Sequence, residues 1–338
     1  MKVYLQYPWK FSDSPYYRYL TTNSSKEIEY LNVHQGKGVI TSKNKFSIML
    51  KIKSILRAIL GIVKIPYITL TGKGNYDLIH CCHCLSLNKT PWVVDVEHYW
   101  NFASSSNISY SNIGKKRIKK FLKNPNCKRI LAWSKDCKNT IIKNMEDKDI
   151  INKIEVVYPA IPLPQINKIK KNTITLLFVA RYFESKGGNE VLKIFDTLCN
   201  DEVKGIIISD VPEEIKKQHP KIKFYNLMPQ EEVFKFMEQA DIFVYPGYSD
   251  TFGFALLEAM SFGLPIVTAK GFAKKEIVEG CGFVVDNNNL IKAVKYFIDK
   301  PLMRNIMGNK GRREIEYGKF SIGERNNKML KIYGECLK

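Results

Sequence analysis

The sequence predicts an α/β protein built from two Rossmann-like domains, each with a parallel sheet. The chain has 338 residues, more than one hydrophobic core usually organises. Short apolar runs alternate with helical patterns in both halves, which is typical of parallel α/β architecture. Prolines at 159, 162 and 164 and a polar stretch at 168–172 separate the two series. We therefore expect domains at 1–165 and 173–318, and a closing helix at 319–338 that packs back toward the first domain.

The first half carries apolar runs spaced like the strands of a parallel sheet. Helical periodicity falls between several of them, and Ser134 is placed to cap a helix because a serine side chain can accept a hydrogen bond from a free N–H of the first turn. The expected strands are 3–6, 28–31, 78–80, 92–96, 129–133 and 154–157, and the expected helices are 115–122 and 136–145.

The second half repeats the alternation without repeating the sequence. The expected strands are 175–180, 205–209, 223–225, 242–245, 265–268 and 282–285. The expected helices are 188–199, 230–239, 255–262, 274–279, 290–299, 301–316 and 322–336.

The positive charge is concentrated in the first half. Residues 1–170 hold 28 Lys and Arg against 11 Asp and Glu, whereas residues 171–338 hold 25 against 22. Such asymmetry points to a polyanionic partner, although a chain rich in Lys, Asn and Ile can also carry solvated lysines of no function. The segments 115–121 and 48–68 mix cations with apolar residues, a pattern suited to an anionic membrane surface. Nucleic acid is the less favoured partner, because no recognised reading motif or aromatic platform accompanies the charge.

Eight cysteines are present, and they do not form a framework of paired CxxC motifs. The run at 80–84, His-Cys-Cys-His-Cys, contains zinc-binding residue types, but it continues a buried strand, and adjacent ligands suit a tetrahedral site poorly. We therefore expect a strand end there and no metal. Reduced thiols indicate the cytoplasm. The amino terminus lacks the apolar core of a signal peptide, and charges interrupt the apolar segment at 48–68, so neither export nor a membrane span is expected.

The segment 245–260 is the most informative part of the chain. A strand, a glycine-containing loop and a helix follow in order, so free N–H groups and the helix dipole form an anion site suited to a diphosphate. Gly253 would let a phosphate approach closely. Asp250 and Glu258 bracket the loop, and carboxylates beside a phosphate suit the hydroxyls of a sugar and a ribose. The alternative is an ordinary helix cap and a surface glutamate.

Two cations stand on the loop that follows the first strand of the second half, Arg181 and Lys186. This loop lies at the carboxyl edge of the sheet, where open α/β sheets bind ligands. The two cations could neutralise the charge that develops on a departing nucleoside diphosphate. Alone, such residues would normally face solvent.

Together these motifs resemble the donor-binding domain of the family 4 retaining glycosyltransferases, which have the GT-B fold. The resemblance covers about residues 174–335. It is carried by Arg181 with Lys186-Gly187, by Asp250 to Glu258 with Ala-Met-x-x-Gly-x-Pro at 259–265, by Glu276-Ile277-Val278 before 280–285, and by the helix after Phe320-Ser321.

The resemblance implies two parallel sheets that face each other across a cleft, with the acceptor bound by the domain 1–165 and the nucleotide sugar by the domain 173–318. It also assigns roles to residues. Arg181 and Lys186 would hold the diphosphate in place of a metal, and Glu258 would bond the ribose. Asp250 stands where the family usually has Glu, nearest the transferred sugar. Donor contacts would also come from Thr251, Phe252, Gly253 and Phe254. In the first half, the strand at 91–98 resembles the family's strand that ends in an active-site histidine, here His98, and either Asp95 or Glu97 would face the cleft.

The expected function is retaining, hexosyltransferase-like transfer from a nucleoside-diphosphate sugar to a lipid-linked or cell-envelope glycan. The catalytic residues would be His98, Asp250, Arg181 and Lys186, with no metal or other cofactor. The enzyme would be cytoplasmic, with a peripheral site on the inner face of a membrane. The family's glycine-rich loop after the first strand is replaced by residues 10–17, so acceptor contacts are not carried over. The alternatives are a nucleotide-sugar epimerase of the same fold and, from another class, a basic nucleic-acid-binding protein.

Overall fold

The structure is a computed structural model that describes residues 1–7, 15–33, 54, 55, 61–167 and 171–338. It divides into two compact units. The N-terminal unit comprises Met1–Pro159 and Gly323–Lys338, and the second unit comprises Ala160–Ile322. The chain thus leaves the N-terminal unit at the proline-rich break and returns to it for the last sixteen residues.

The N-terminal unit is organised around a parallel sheet of six strands in the order β2-β1-β4-β6-β7-β8. These strands correspond to the six that the apolar runs predict. A separate parallel pair, β3 with β5, was not predicted, because each of its strands has only two residues. The bounds are β1 Lys2–Gln6, β2 Glu29–Leu31, β3 Ile68–Thr69, β4 Leu78–Cys82, β5 Leu85–Ser86, β6 Trp92–Val96, β7 Cys127–Ala132 and β8 Ile154–Val156.

Helices cover this sheet and include the chain's last helix. Ser134 caps one of them as predicted, since its side chain accepts a hydrogen bond from the Cys137 N–H. The helices are Pro15–Thr22, Ser106–Ser109, Asn112–Leu122, Lys135–Met145, Lys148–Ile151 and Ile322–Cys336, with a 3-10 turn at Tyr99–Phe102. The core between helices and sheet includes fully buried Trp92, Val94, Ile118, Leu122 and Ile141.

The histidine- and cysteine-rich run does continue a buried strand. All five residues of β4 are buried, and the strand ends at Cys82, just before His83, whose φ is 58°. All eight cysteines are free and buried. Within the described residues, no three His, Cys, Asp or Glu side chains are grouped as metal ligands.

The second unit has its own parallel sheet of six strands, in the order β11-β10-β9-β12-β13-β14. The strands are β9 Ile174–Val179, β10 Val203–Ile208, β11 Ile222–Tyr225, β12 Ile242–Val244, β13 Ile266–Ala269 and β14 Gly282–Val285. The helices are Gly188–Leu198, Glu213–Gln218, Gln230–Gln239, Phe254–Ser261, Lys274–Ile277, Leu290–Asp299 and Pro301–Glu316, with 3-10 turns at Glu184–Lys186 and Asn287–Asn289.

The strand order of the second sheet reverses between β9 and β12. The chain runs outward from β9 through β10 to β11, then returns to the other side of β9 with β12. A crevice forms outside the carboxyl ends of two strands at such a switch point, and open α/β sheets bind ligands there. The loops after β9 and β12 carry the predicted donor-site motifs.

The basic helix Asn112–Leu122 uses its apolar face inside the protein. Ile118 and Leu122 are fully buried in the core, and Lys119 pairs with Asp147 at 3.2 Å. Packing therefore explains why cations and apolar residues are mixed at 115–121. This segment offers a membrane only its charged side chains. Lys51, Lys53 and Arg57 lie outside the described residues, as do residues 10–14 of the segment 10–17. None of the described helices is long and apolar enough to cross a membrane.

Candidate functional site

Two loops of the second unit touch at the carboxyl edge of its sheet. The Gly247 N–H donates to the Lys186 carbonyl oxygen at 2.8 Å. Gly187 adopts the left-handed region with φ 84°, and a Cβ there would lie 2.5 Å from Pro246 Cβ. A side chain at 187 would therefore push the loops apart, which explains why glycine follows the lysine.

The contact between these loops brings two predicted site residues together. Lys186 Nζ donates to Asp250 Oδ1, and the Tyr245 hydroxyl donates to Asp250 Oδ2. The Lys186 and Asp250 side chains are 16% and 17% exposed, so the ion pair is largely shielded from water. We expected these two side chains to hold different parts of a donor, and here they hold each other. Arg181, two residues after the end of β9, is half-buried.

The loop after β12 leads into the start of a helix at Gly253. Gly253 has φ 89° and ψ 76°, a left-handed conformation that suits glycine, and it precedes the helix Phe254–Ser261. The free N–H groups of a first helical turn attract negative charge. The Phe252 side chain is fully buried, with its ring centroid 5.7 Å from that of Phe254, so only its main chain is available to a ligand. Thr251 is also buried.

Glu258 lies one turn into that helix and is half-buried. Gln230 Nε2, at the start of the helix Gln230–Gln239, donates to Glu258 Oε1. The hydrogen bond therefore fixes the position of the Glu258 carboxylate. Sequence reasoning missed Gln230, because the contact joins residues that are 28 apart in the chain.

A buried lysine beside the loops was also missed. Lys274 is fully buried, and its ammonium donates to the Pro246 carbonyl oxygen. Burial lowers the pKa of Lys274 to about 8; nearby Asp250 opposes this shift and Lys186 adds to it. The available signal was helical spacing, since Lys274 shares a face with buried Ile277 and Val278.

Two hydroxyls at the same sheet edge are buried without a hydrogen-bond partner in the described part of the chain. Ser209 Oγ follows β10, and the Tyr248 hydroxyl lies in the loop after β12. Burial, with a smaller contribution from Glu190, raises the pKa of Tyr248 to about 12. Buried polar groups are usually satisfied, so such hydroxyls mark places where a bound molecule can supply the partner.

His98, the histidine candidate, belongs to the N-terminal unit, two residues after β6. It is 4% exposed, and its Nδ1 accepts a 3.5 Å hydrogen bond from the Trp100 N–H. Its ring stacks on that of Trp100, with the centroids 3.7 Å apart. Burial lowers the pKa of His98 to about 4, so the imidazole is neutral at pH 7. Asp95 is fully buried and accepts a 2.8 Å hydrogen bond from the Tyr17 hydroxyl, while Glu97 is half-buried.

Known proteins resemble this chain, and one family model matches residues of its second unit. The family model described as "Glycosyl transferases group 1" matches residues 162–314. A Klebsiella pneumoniae protein, the uncharacterized 41.2 kDa protein in the cps region, is 24% identical over 289 residues, which cover 78% of this chain and 72% of that protein. The Staphylococcus aureus capsular polysaccharide biosynthesis glycosyltransferase CapM is 23% identical over 201 residues, or 55% of this chain and 50% of CapM.

A solved structure has the same fold at low sequence identity. HepE of Anabaena, crystallised in complex with UDP, superposes with a TM-score of 0.68 and 12% identity, over 99% of this chain and 100% of HepE. The predicted GT-B type fold with two Rossmann-like domains is confirmed. The residues that match the group 1 family model, 162–314, therefore lie within a chain of GT-B fold.

Proposed function

We propose that this protein is a glycosyltransferase that moves a hexose from a nucleoside-diphosphate sugar to its acceptor with retention of anomeric configuration. The observation that carries the proposal is the contact of Lys186 with Asp250, where two loops meet beside the helix start at Gly253. Cation, carboxylate and helix start are the three features that a diphosphate with an attached sugar requires. The UDP bound by HepE, a protein of the same fold, supports a nucleotide donor.

In this proposal the donor spans the edge of the second sheet. Arg181 and Lys186 bond the diphosphate oxygens, and Glu258 bonds the ribose hydroxyls. The Lys186 ammonium has three donor hydrogens, so it can keep Asp250 and still reach a phosphate. The main chain of residues 251–254 meets the phosphate and the sugar. Asp250, anchored by Tyr245, bonds the transferred sugar.

Catalysis in this proposal rests on positioning and on charge neutralisation. As the bond from the anomeric carbon to the diphosphate breaks, negative charge grows on the departing oxygen, and Lys186 and Arg181 stabilise it without a metal. The acceptor hydroxyl attacks from the departing side and passes its proton to the departing diphosphate oxygen, so no covalent nucleophile is needed. Because Nδ1 of the neutral His98 accepts from the Trp100 N–H, its Nε2 carries the proton and can donate a hydrogen bond to a sugar hydroxyl without adding charge.

Donor binding is tested by thermal shift with UDP-, GDP- and ADP-sugars. We expect one nucleotide family to raise the melting temperature of the wild type, and Lys186→Ala and Glu258→Ala to abolish that rise. Lys292→Ala, which removes an exposed lysine of the second unit, is the matched control and should keep the rise. An undiminished shift in Lys186→Ala and Glu258→Ala would refute the assignment of the site.

Retention is tested on the product. Once a donor and an acceptor are paired, the proton coupling constant at the new anomeric centre should match the configuration of the donor. An inverted centre would reject the retaining mechanism. Donor turnover that needs no acceptor would favour the epimerase alternative.

For the acceptor, we propose a cell-envelope or lipid-linked glycan met at the inner face of a membrane. CapM, which acts in capsular polysaccharide biosynthesis, supports an envelope glycan. The basic first half supports electrostatic contact with an anionic surface, and the apolar side chains Ile118 and Leu122 of the helix Asn112–Leu122 are buried. Flotation with phosphatidylglycerol vesicles should show binding at low salt that is lost at high salt. Equal recovery at both salt concentrations would exclude this contact.

A further inference from the structure

A cavity of about 590 Å³ opens in the N-terminal unit, at the carboxyl end of β1. Tyr4 and Gln6 reach it from one face of β1, because residues two apart in a strand point the same way. Asn32 reaches it from the end of β2, and Thr69 and Thr71 reach it from β3 and the residues that follow. None of these residues belongs to the donor loops of the second unit.

The lining is polar but uncharged. It consists of phenol, amide and hydroxyl groups with one aliphatic side chain, and no charged side chain is among the described residues that line the cavity. Sugar hydroxyls pair well with amides and hydroxyls, and the C–H face of a sugar packs on an aromatic ring. A phosphate or carboxylate would instead require an arginine, a lysine or a helix start.

Hydrogen bonds behind the cavity hold its walls in place. Gln6 is 3% exposed, and its Nε2 donates to Asn88 Oδ1 at 3.4 Å. Asn88 also bonds both main-chain groups of Thr71, accepting from its N–H at 2.9 Å and donating to its carbonyl at 2.7 Å. The Thr71 hydroxyl is left with no partner among the residues that the structure describes. Asn32 donates through Nδ2 to the Leu5 carbonyl at 2.8 Å, which leaves its side-chain oxygen to accept.

We propose that this cavity binds a neutral sugar residue of the acceptor glycan. The volume is within the range of pockets that hold small ligands, and the lining matches an uncharged polyol. The acceptor role rests on the proposed function, whereas the binding of a neutral sugar stands on the cavity alone. The cavity thus selects uncharged over phosphorylated or acidic sugars.

The test is saturation-transfer NMR with the full chain and simple glycosides. The neutral probes are the methyl α-glycosides of glucose, galactose, mannose and N-acetylglucosamine, and the charged comparators are glucose 1-phosphate and methyl glucuronide. We expect at least one neutral probe to give a signal that falls severalfold in Thr71→Val and in Tyr4→Leu. Thr197→Val, the same change at an exposed site of the second unit, should leave the signal unchanged.

Three results would overturn the proposal. They are no signal from any neutral probe, a signal that Thr71→Val and Tyr4→Leu do not reduce, or a stronger signal from the charged sugars. The nucleotide-induced thermal shift is recorded on the same samples. Its absence from every sample would reject the donor site while the glycoside signal still decides on the cavity. Wild-type tryptophan emission in Thr71→Val and Tyr4→Leu shows that the N-terminal unit of each variant is folded, because all four tryptophans lie within residues 1–159.

Discussion

Asp95 shows how a predicted site residue acquires partners that sequence cannot supply. Its carboxylate is fully buried and lies 3.3 Å from His80 Nε2. Burial alone would raise the pKa of Asp95, but His80, His83 and the Tyr17 hydroxyl more than offset it and hold the pKa below its ordinary value. The position of Asp95 on a buried strand could be predicted. Tyr17, 78 residues away, could not, because the fold alone brings it there.

Tyr333 extends this network from the last helix, and its hydroxyl is the atom to test. It is fully buried, lies 2.6 Å from His80 Nδ1 and lies 3.2 Å from the Tyr30 hydroxyl. Tyr333→Phe leaves two polar groups in the interior short of a partner, so we expect a loss of about 1–3 kcal/mol in the free energy of unfolding. Urea denaturation measures it. Tyr317→Phe, at a residue that is 79% exposed, should change it little, and equal effects would contradict the argument.

His98 makes stability depend on pH. An unfolded histidine titrates near pH 6.5, and burial lowers the pKa of His98 to about 4 in the folded chain. Between about pH 4 and pH 6.5 the unfolded chain binds more protons than the folded chain. The stability that His98 contributes is therefore complete above about pH 6.5 and is lost as the pH falls toward 4. His98→Asn keeps an acceptor for the Trp100 N–H but does not titrate.

We therefore expect the melting temperature to fall less from pH 7 to pH 5 in His98→Asn than in the wild type. His219→Asn, at a histidine that pairs with Asp196 at 2.7 Å in the second unit, is the control and should not reduce the fall in this way. An identical fall in His98→Asn and the wild type would show that His98 does not carry the effect.

At the scale of elements, sequence periodicity predicted most of what positions the candidate site. The predicted bounds of the helices Gln230–Gln239, Leu290–Asp299 and Pro301–Glu316 agree with the structure, because each has a long apolar stripe or a proline start. The four-residue helices Ser106–Ser109 and Lys148–Ile151 were missed, since one turn shows no periodicity.

Sequence periodicity could not predict the contacts between elements. Lys186 and Asp250 could each be placed on a loop at the edge of the sheet. Their ion pair joins residues 64 apart in the chain, so only the tertiary structure brings it about. The same holds for Lys274, whose buried ammonium reaches the loop after β12 from the helix Lys274–Ile277, which follows β13.

Lys274 predicts that nucleotide binding takes up a proton. With a pKa of about 8, Lys274 is about half deprotonated at pH 8. A diphosphate bound at the adjacent loop would favour its charged form, so binding at pH 8 should take up as much as about half a proton. Affinity for UDP, or for whichever nucleotide gives the thermal shift, should accordingly weaken from pH 7 to pH 9.

Calorimetry at pH 8 in buffers of different ionisation enthalpy measures the uptake. We expect it to vanish in Lys274→Met and to persist in Lys275→Met, which removes the exposed neighbouring lysine. Full uptake in Lys274→Met would assign the proton to another group. A wild-type affinity that is constant from pH 7 to pH 9 would also reject the prediction, whether or not Lys274→Met binds.

At the scale of the whole molecule, the order of the chain does not match its division into units. The last segment, 323–338, is part of the N-terminal unit although it follows the second. Arg325 is 1% exposed and donates to the carbonyl oxygens of Tyr19 at 3.1 Å and Asn23 at 2.8 Å. A buried guanidinium held by carbonyls fixes the helix Ile322–Cys336 to the first helix of the chain.

Removal of residues 323–338 should therefore unfold the unit at the other end of the sequence. Met329, Ile332 and Tyr333 are each at most 3% exposed, and burial of one such side chain contributes about 1.5–3 kcal/mol. The summed loss of about 5 kcal/mol or more is comparable to the whole stability of many domains. The second unit keeps all of its strands in this truncation and should still bind nucleotide.

The distribution of tryptophan separates the two outcomes. All four tryptophans lie within residues 1–159, so their emission reports on the N-terminal unit alone. We expect the truncated chain to show red-shifted emission without a cooperative urea transition, while the nucleotide-induced thermal shift persists. Lys331→Ala, at an exposed position of the same helix, should behave as the wild type. Wild-type emission and a wild-type urea midpoint after truncation would show that the N-terminal unit folds without its last helix, because its own sheet and core would then suffice.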